Sequence, residues 1–237
     1  MTTLRDIIDS ERRRKAGEIP HRGTLAPGSW SMDEMMDLVS IYGRGVCPGF
    51  RIDADNRDLY EQLVLWTVGS PLMRCLDPVT GARIQGDPNR GIYIGGMTGR
   101  GKSVALKVLR RLHDLNPLAC RDRFGNVRLA GSWTERRADE ITDAYAIDGS
   151  IVGLKNEPIL CIQDFGSEPQ ESLYMGNRVA VMRSLLEYRG DTRWLTFISS
   201  NIPMGHDYLR QRYGDRVQSR LRAMCNYLEL GGEDRRI

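Results

Sequence analysis

Long apolar runs are missing from this chain. The longest, over residues 63–73, is broken by Gly69, Ser70 and Pro71 and falls short of the roughly 20 residues that a membrane-spanning helix needs. No transmembrane helix and no membrane partner are expected. The N-terminal segment has no apolar h-region and carries Asp6, Asp9 and Glu11, which does not fit a signal peptide, so a cytoplasmic location is the expectation. Cysteine is sparse and unpatterned. Cys47, Cys75, Cys120, Cys161 and Cys225 are odd in number and show no C-x-x-C spacing, which argues against a disulfide framework or a zinc site and for reduced, mostly buried thiols. Lysine is confined to Lys15, Lys102, Lys107 and Lys155, so the basic character rests on arginine. Basic residues outnumber acidic ones between 100 and 137, a segment suited either to facing phosphates or to forming a solvated helix face.

What is present is ordinary for a globular chain: 237 residues, 41% hydrophobic and 27% charged, with a net charge of +3. That is room for one large domain, or a domain with a short appendage. Residues 1–50 are expected to form an N-terminal helical appendage or linker, a region suited to binding a partner, and residues 51–237 the main domain. Pro20, Gly23, Pro27 and Gly28 mark loop chemistry in the first part. Ser31 and Glu34 have capping-box spacing ahead of Met35, Met36, Leu38 and Val39, which predicts a helix ending near Gly43. A second helix is predicted after Asn56. From residue 91 onward, short apolar runs alternate with helical stretches, the pattern of a parallel α/β sheet. Strands are predicted over 92–94, 159–162, 195–198 and 227–230, with helices over 103–112 and about 178–188.

One motif carries chemistry by itself. Gly96, Met97, Thr98, Gly99, Arg100, Gly101, Lys102 and Ser103 fit G-x-x-x-x-G-K-[ST], placed after an apolar strand and before a helix. In such a P-loop the glycines let successive backbone N–H groups turn toward phosphates, and the following helix adds the positive end of its dipole. The expectation is ATP, or a closely related nucleoside triphosphate, bound with Mg2+. Lys102 would reach the β- and γ-phosphates and Ser103 the metal. Asp164, at the end of the strand over 159–162, supplies the carboxylate that a P-loop enzyme needs for metal and attacking water. Glu168 reads as a loop or helix-start residue. Asn201, after the strand over 195–198, is placed to sense the γ-phosphate or to start the turn before Pro203. Arg216 and Arg220 are four apart, on one helix face, and serve equally as a solvated basic face or as phosphate-reaching forks.

Taken in order, 91–103, 164–168, 199–201 and 213–221, these residues resemble the DnaC/DnaI and IstB branch of AAA+ ATPases, the bacterial helicase loaders and transposition helpers. The stretch Tyr213, Gly214, Asp215, Arg216, Val217, Gln218, Ser219, Arg220 and Leu221 is its most specific part. The resemblance spans about residues 50–237 and implies a three-layer αβα sandwich with a parallel central sheet, a short helical N-terminal region and no C-terminal lid. It also implies a Mg2+-dependent ATPase that assists DNA replication, forms a homo-oligomer through Arg220, and acts with a replicative helicase, or alternatively a transposase, on single-stranded DNA. Asn201 then corresponds to sensor 1 and Arg220 to the arginine finger, with Arg216 as its alternative. The branch usually has two acids where this chain has Gln163 and Asp164. Either Asp164 holds the water-activating position and the first acid is glutamine, or Asp164 is the metal ligand and the catalytic acid is missing. Both alignments imply slow hydrolysis.

Overall fold

The computed structural model describes residues 30–117, 119–121, 127–129, 133–192 and 194–235. Residues 1–29, and with them most of the predicted N-terminal loop, lie outside the described residues, as does the side chain of Cys120. In chain order the elements are α1 (Met32–Val46), α2 (Arg57–Thr67), β1 (Arg74–Leu76), β2 (Arg83–Gln85), β3 (Gly91–Gly95), α3 (Lys102–Leu115), β4 (Ala119–Arg121) and β5 (Val127–Leu129). There follow β6 (Thr134–Arg137), α4 (Ala138–Asp148), α5 (Val152–Asn156), β7 (Ile159–Phe165), β8 (Ser172–Tyr174), β9 (Asn177–Val179), α6 (Val181–Thr192), β10 (Leu195–Ser200), α7 (Asp207–Tyr213), α8 (Asp215–Met224) and β11 (Cys225–Glu229).

Seven strands form one sheet in the order β2-β1-β11-β3-β10-β7-β6. From β11 to β6 every pairing is parallel, and β1 and β2 extend the β11 edge antiparallel. The central strands β3, β7, β10 and β11 are buried on both faces, as a sheet covered on both sides requires. Period-two alternation sorts their side chains into two cores. Ile92, Ile94, Ile159, Cys161, Leu195 and Phe197 pack with Leu63 and Trp66 of α2 and Leu106 and Leu109 of α3. Tyr93, Leu160, Ile162 and Ile198 face the other way, onto Ile141 of α4, Leu185 of α6 and Val217 and Leu221 of α8. The result is a three-layer αβα arrangement.

The predicted capping box is present. The Ser31 hydroxyl accepts from the Glu34 N–H at 3.2 Å, and the Glu34 carboxylate accepts from the Ser31 N–H at 2.8 Å. The helix it starts runs to Val46, past Gly43, whose lack of a side chain leaves room for the Phe50 ring. Met35, Met36 and Val39 of α1 sit in the same apolar cluster as α2 and α3, so this helix shares the core of the elements after it. The strands predicted over 92–94, 159–162 and 195–198 each extend by one to three residues, and the last runs over 225–229. The helix predicted from 178 starts at Val181, because Asn177–Val179 pairs with Ser172–Tyr174 in a hairpin first. Cys75, Cys161 and Cys225 are buried free thiols and Cys47 is partly buried. Burial pushes the Cys225 thiol up to about 12. No helix among the described residues is long and apolar enough to cross a membrane.

Candidate nucleotide-binding site

The loop between β3 and α3 holds the P-loop sequence. Gly99 and Gly101 have φ of +82° and +97°, a region that costs any residue with a Cβ, so the curl of this loop depends on glycine. A Cβ on Gly99 would also run into the Asp234 carboxyl. Helix α3 begins at Lys102 directly after the curl, aiming its N-terminal N–H groups into the concavity. The adjoining cavity is about 880 Å³ and is lined by Thr98, Gly99, Arg100, Gly101, Lys102 and Ser103 together with Asp164 and Asn201. That volume lies in the range of small-molecule sites. Gly96 and Met97 contribute their carbonyls. The largely buried Lys102 ammonium donates to Gly96 O at 2.7 Å, Met97 O at 2.8 Å and Asn201 Oδ1 at 2.6 Å. The P-loop lysine and the amide at the end of β10 are thus in direct contact.

Asp164 reaches the cavity because the strand that carries it is irregular. Cys161 and Ile162 alternate between the two cores, but Phe165 joins the same core as Ile162. One residue has been inserted, and the register against β10 slips between Ile198 and Ser200. The inserted residue is Asp164, with φ of +54°, a left-handed conformation that aspartate tolerates better than most side chains. Bulges of this kind re-aim a side chain at the end of a strand. The Ser199 hydroxyl fastens the bulge, accepting the Asp164 N–H at 3.1 Å and donating to Gln163 Oε1 at 2.6 Å. Gln163 is buried on the Cys161 side and its amide donates to Glu135 Oε1 at 3.4 Å, so it does not line the cavity. Asp164, by contrast, lines it.

Ser103 and Asp164 line the same cavity as the predicted metal ligands. Among the described residues no three His, Cys, Asp or Glu side chains converge where a metal ion could sit. A magnesium ion held here would therefore depend on one carboxylate, one hydroxyl, and the phosphates and waters that complete its octahedron. These residues fit that mode of binding, in which the cation neutralises phosphate charge.

Several cavity residues carried no local sequence signal. Phe50, Asp53, Asp55, Asn56 and Tyr60, ahead of and in α2, form the rest of the wall with Leu230 and residues 232–235. The two segments are joined by Arg235, which donates to both Asp53 carboxylate oxygens at 2.7 Å, while its backbone N–H binds Gly99 O at 3.0 Å. The Arg235 guanidinium holds the Asp53 carboxyl at about 2, down from 3.8. Because the folded value is the lower one, the stabilisation is complete above the unfolded value and disappears as pH falls through the folded one. Asp53→Asn is expected to cost about 1 kcal/mol near neutral pH, the pair being partly solvated. Thermal melts at successive pH values should show the gap between variant and native protein shrinking below pH 4. A gap that stays constant would count against the pairing.

Arg220 lies elsewhere. It forms an ion pair with Asp191 at the end of α6, its stem crossing Gly190, and neither it nor the exposed Arg216 lines the cavity. Both sit on α8, whose start is tied to the Asp164 loop through Glu168. Glu168 lies in the loop after β7, as expected, and its side chain is fully buried: it accepts the Gly166 N–H at 2.8 Å and bonds the Tyr213 hydroxyl, while its backbone carbonyl accepts from Arg212. Burial, and then the neighbouring Glu168 charge, push the Tyr213 hydroxyl far up, so it keeps its proton and donates it to that carboxylate while accepting from Arg212 Nε at 3.0 Å. The Tyr213 ring stacks on Phe165 at 4.6 Å.

No protein-family model and no curated protein matches the sequence. Solved structures do match in shape. One is a crystal structure of DnaI, with 18% identity and a TM-score of 0.50 over 78% of this chain and 86% of that one. Another is described as a candidate primosome component from Streptococcus pyogenes serotype M3, with 18% identity and a TM-score of 0.53 over 84% of this chain and 98% of that one. The parallel order β11-β3-β10-β7-β6 and these two likenesses agree: the chain shares the three-layer α/β fold of the DnaI structure, with a P-loop sequence ahead of α3.

Proposed function

We propose that this protein is an ATP-binding, ATP-hydrolysing accessory of DNA replication that resembles the helicase loaders. The observation that carries the reading is the convergence of Lys102, Asn201 and Asp164 on one P-loop cavity while Arg220 stands outside it. ATP would lie with its phosphates on residues 96–103 and its base toward Phe50 and Tyr60. Ser103 and Asp164 would hold Mg2+, which supplies charge neutralisation at the β- and γ-phosphates. Asn201, already bonded to the lysine, is placed to register a γ-phosphate. An arginine outside its own cavity suits the role of a finger completing a neighbour's site, so a homo-oligomer through Arg220 is part of the proposal, with Asp191 holding the arginine until a neighbour's phosphate takes its place. Residues 1–50 would serve the partner, a replicative helicase, and single-stranded DNA would be the nucleic-acid ligand. A transposase partner would fit the same site.

Gln163 favours a second reading, a nucleotide-gated adaptor with little or no turnover, because the neutral amide is bonded to Ser199 and Glu135 and offers the cavity no second carboxylate. Magnesium-dependent phosphate release, measured with and without single-stranded DNA for native protein and Arg220→Ala, tests both. Turnover stimulated by DNA and reduced at least tenfold by Arg220→Ala, in the range of about 10³–10⁵ at the upper end for arginine fingers, is expected of the first. Tight ATP binding with no release in any condition would establish the second. Turnover indifferent to both DNA and the substitution would refute the assembly.

A further inference from the structure

Arg137 ends β6, beside β7, and pairs in register with Gln163. Its guanidinium is held on one edge by Asp139 of α4, with Nε and Nη2 donating to the two carboxylate oxygens at 3.0 and 3.1 Å. That bidentate grip fixes the plane of the fork and leaves Nη1 turned to Asp164 Oδ2, 3.5 Å away. Asp164 is in turn locked by its bulge. The arrangement is therefore a built one: an acid that lines the P-loop cavity, and an oriented arginine against it.

The charges matter for what the cavity accepts. A carboxylate beside a triphosphate repels it, and a divalent cation ordinarily stands between them. At the end of β7 no second acid is present, since Gln163 is neutral, and Asp164 already has a cationic partner. We propose that Arg137 is a built-in counter-ion for Asp164 that lets the cavity take a nucleoside triphosphate with little dependence on a divalent cation. The proposal rests on the reading of the cavity as a triphosphate site and adds to it which residue replaces the cation's electrostatic role in binding. It concerns affinity alone, and leaves hydrolysis to the metal.

The test is titration of full-length protein with a fluorescent ATP analogue, in magnesium and in EDTA, for native protein, Arg137→Ala and Arg137→Lys. Native protein should lose less than about tenfold in affinity when magnesium is withdrawn. In Arg137→Ala the ratio between the two conditions should widen by about fivefold, the scale of a half-exposed ion pair. Arg137→Lys, which keeps the charge, should restore the native ratio. A native loss of a hundredfold or more in EDTA, or an Arg137→Ala ratio equal to the native one, overturns the counter-ion role while leaving the triphosphate site intact. No binding by native protein in either condition overturns both.

Discussion

Lys102→Ala is expected to reduce ATP affinity at least a hundredfold. The ammonium is held by three oxygens, the Gly96 and Met97 carbonyls and the Asn201 amide, at 2.6 to 2.8 Å. A triphosphate entering the cavity offers stronger, charged acceptors to the same group. Hydrogen bonds to charged partners contribute about 1.5–3 kcal/mol each, so losing contact with two phosphate oxygens amounts to two orders of magnitude or more. The substitution also leaves three inward-facing oxygens without their donor, so binding is read by calorimetry beside a circular-dichroism check that the fold persists. Folded Lys102→Ala that binds ATP as native protein does would falsify the assignment of the cavity. Asn201→Ala should weaken binding less, because the lysine keeps its two backbone acceptors.

Glu168→Ala is expected to be the most damaging single change for stability outside the apolar cores, at about 3 kcal/mol. The carboxylate is wholly enclosed, and its removal strands the Gly166 N–H and the Tyr213 hydroxyl and takes the ion-pair partner from the Arg212 guanidinium. Removing one partner of a buried charged cluster typically costs ~3–5 kcal/mol, and the partial exposure of Arg212 places this case at the lower end. For a chain of this size that is a fall in Tm of about 10 °C. Glu168→Gln keeps an acceptor and the shape, and should cost less than half as much. Differential scanning calorimetry separates these outcomes: equal melting of Glu168→Ala and native protein would show that the cluster contributes nothing net. Because the same cluster joins the Asp164 loop to the start of α8, the unfolding should carry the arginine helix with it.

The contrast between these two residues shows what the sequence could disclose. The P-loop was legible because its constraint is local: glycines at fixed offsets, then Lys102 and Ser103 between an apolar strand and a helix. Strands β3, β7, β10 and β11 were legible because both faces are buried and each carries a short, mostly apolar run. The capping box at Ser31 and Glu34 was legible for the same local reason. Glu168 was legible as a loop residue but not as a buried one, because nothing adjacent in sequence shows that Tyr213, forty-five positions on, closes over it. The edge strand β6, Thr134–Arg137, has no apolar run, and with it Arg137 went unnoticed as the partner of Asp164. Strands β1 and β2 are three residues each and lie at the other edge, where polar side chains are tolerated. That Asp164 and not Gln163 lines the cavity depends on a one-residue bulge, which shifts faces without changing composition. The link between Asp53 and Arg235 spans 182 positions and leaves no periodic trace.

The position of β11 has a consequence for how the molecule is made. This strand, residues 225–229, lies between β1 and β3, so two elements synthesised early remain strangers until one synthesised late slides between them. Before residue 229 has cleared the ribosome, β3 has an unpaired edge at the very strand that delivers the P-loop, and the antiparallel pair β1 and β2 has no sheet to join. Such open edges are the surfaces on which nascent chains stick to one another. The wall of the cavity that depends on Arg235 is completed later still. The cavity is thus closed only once residue 235 has emerged, and a ribosome-bound precursor short of it has the motif without the cavity.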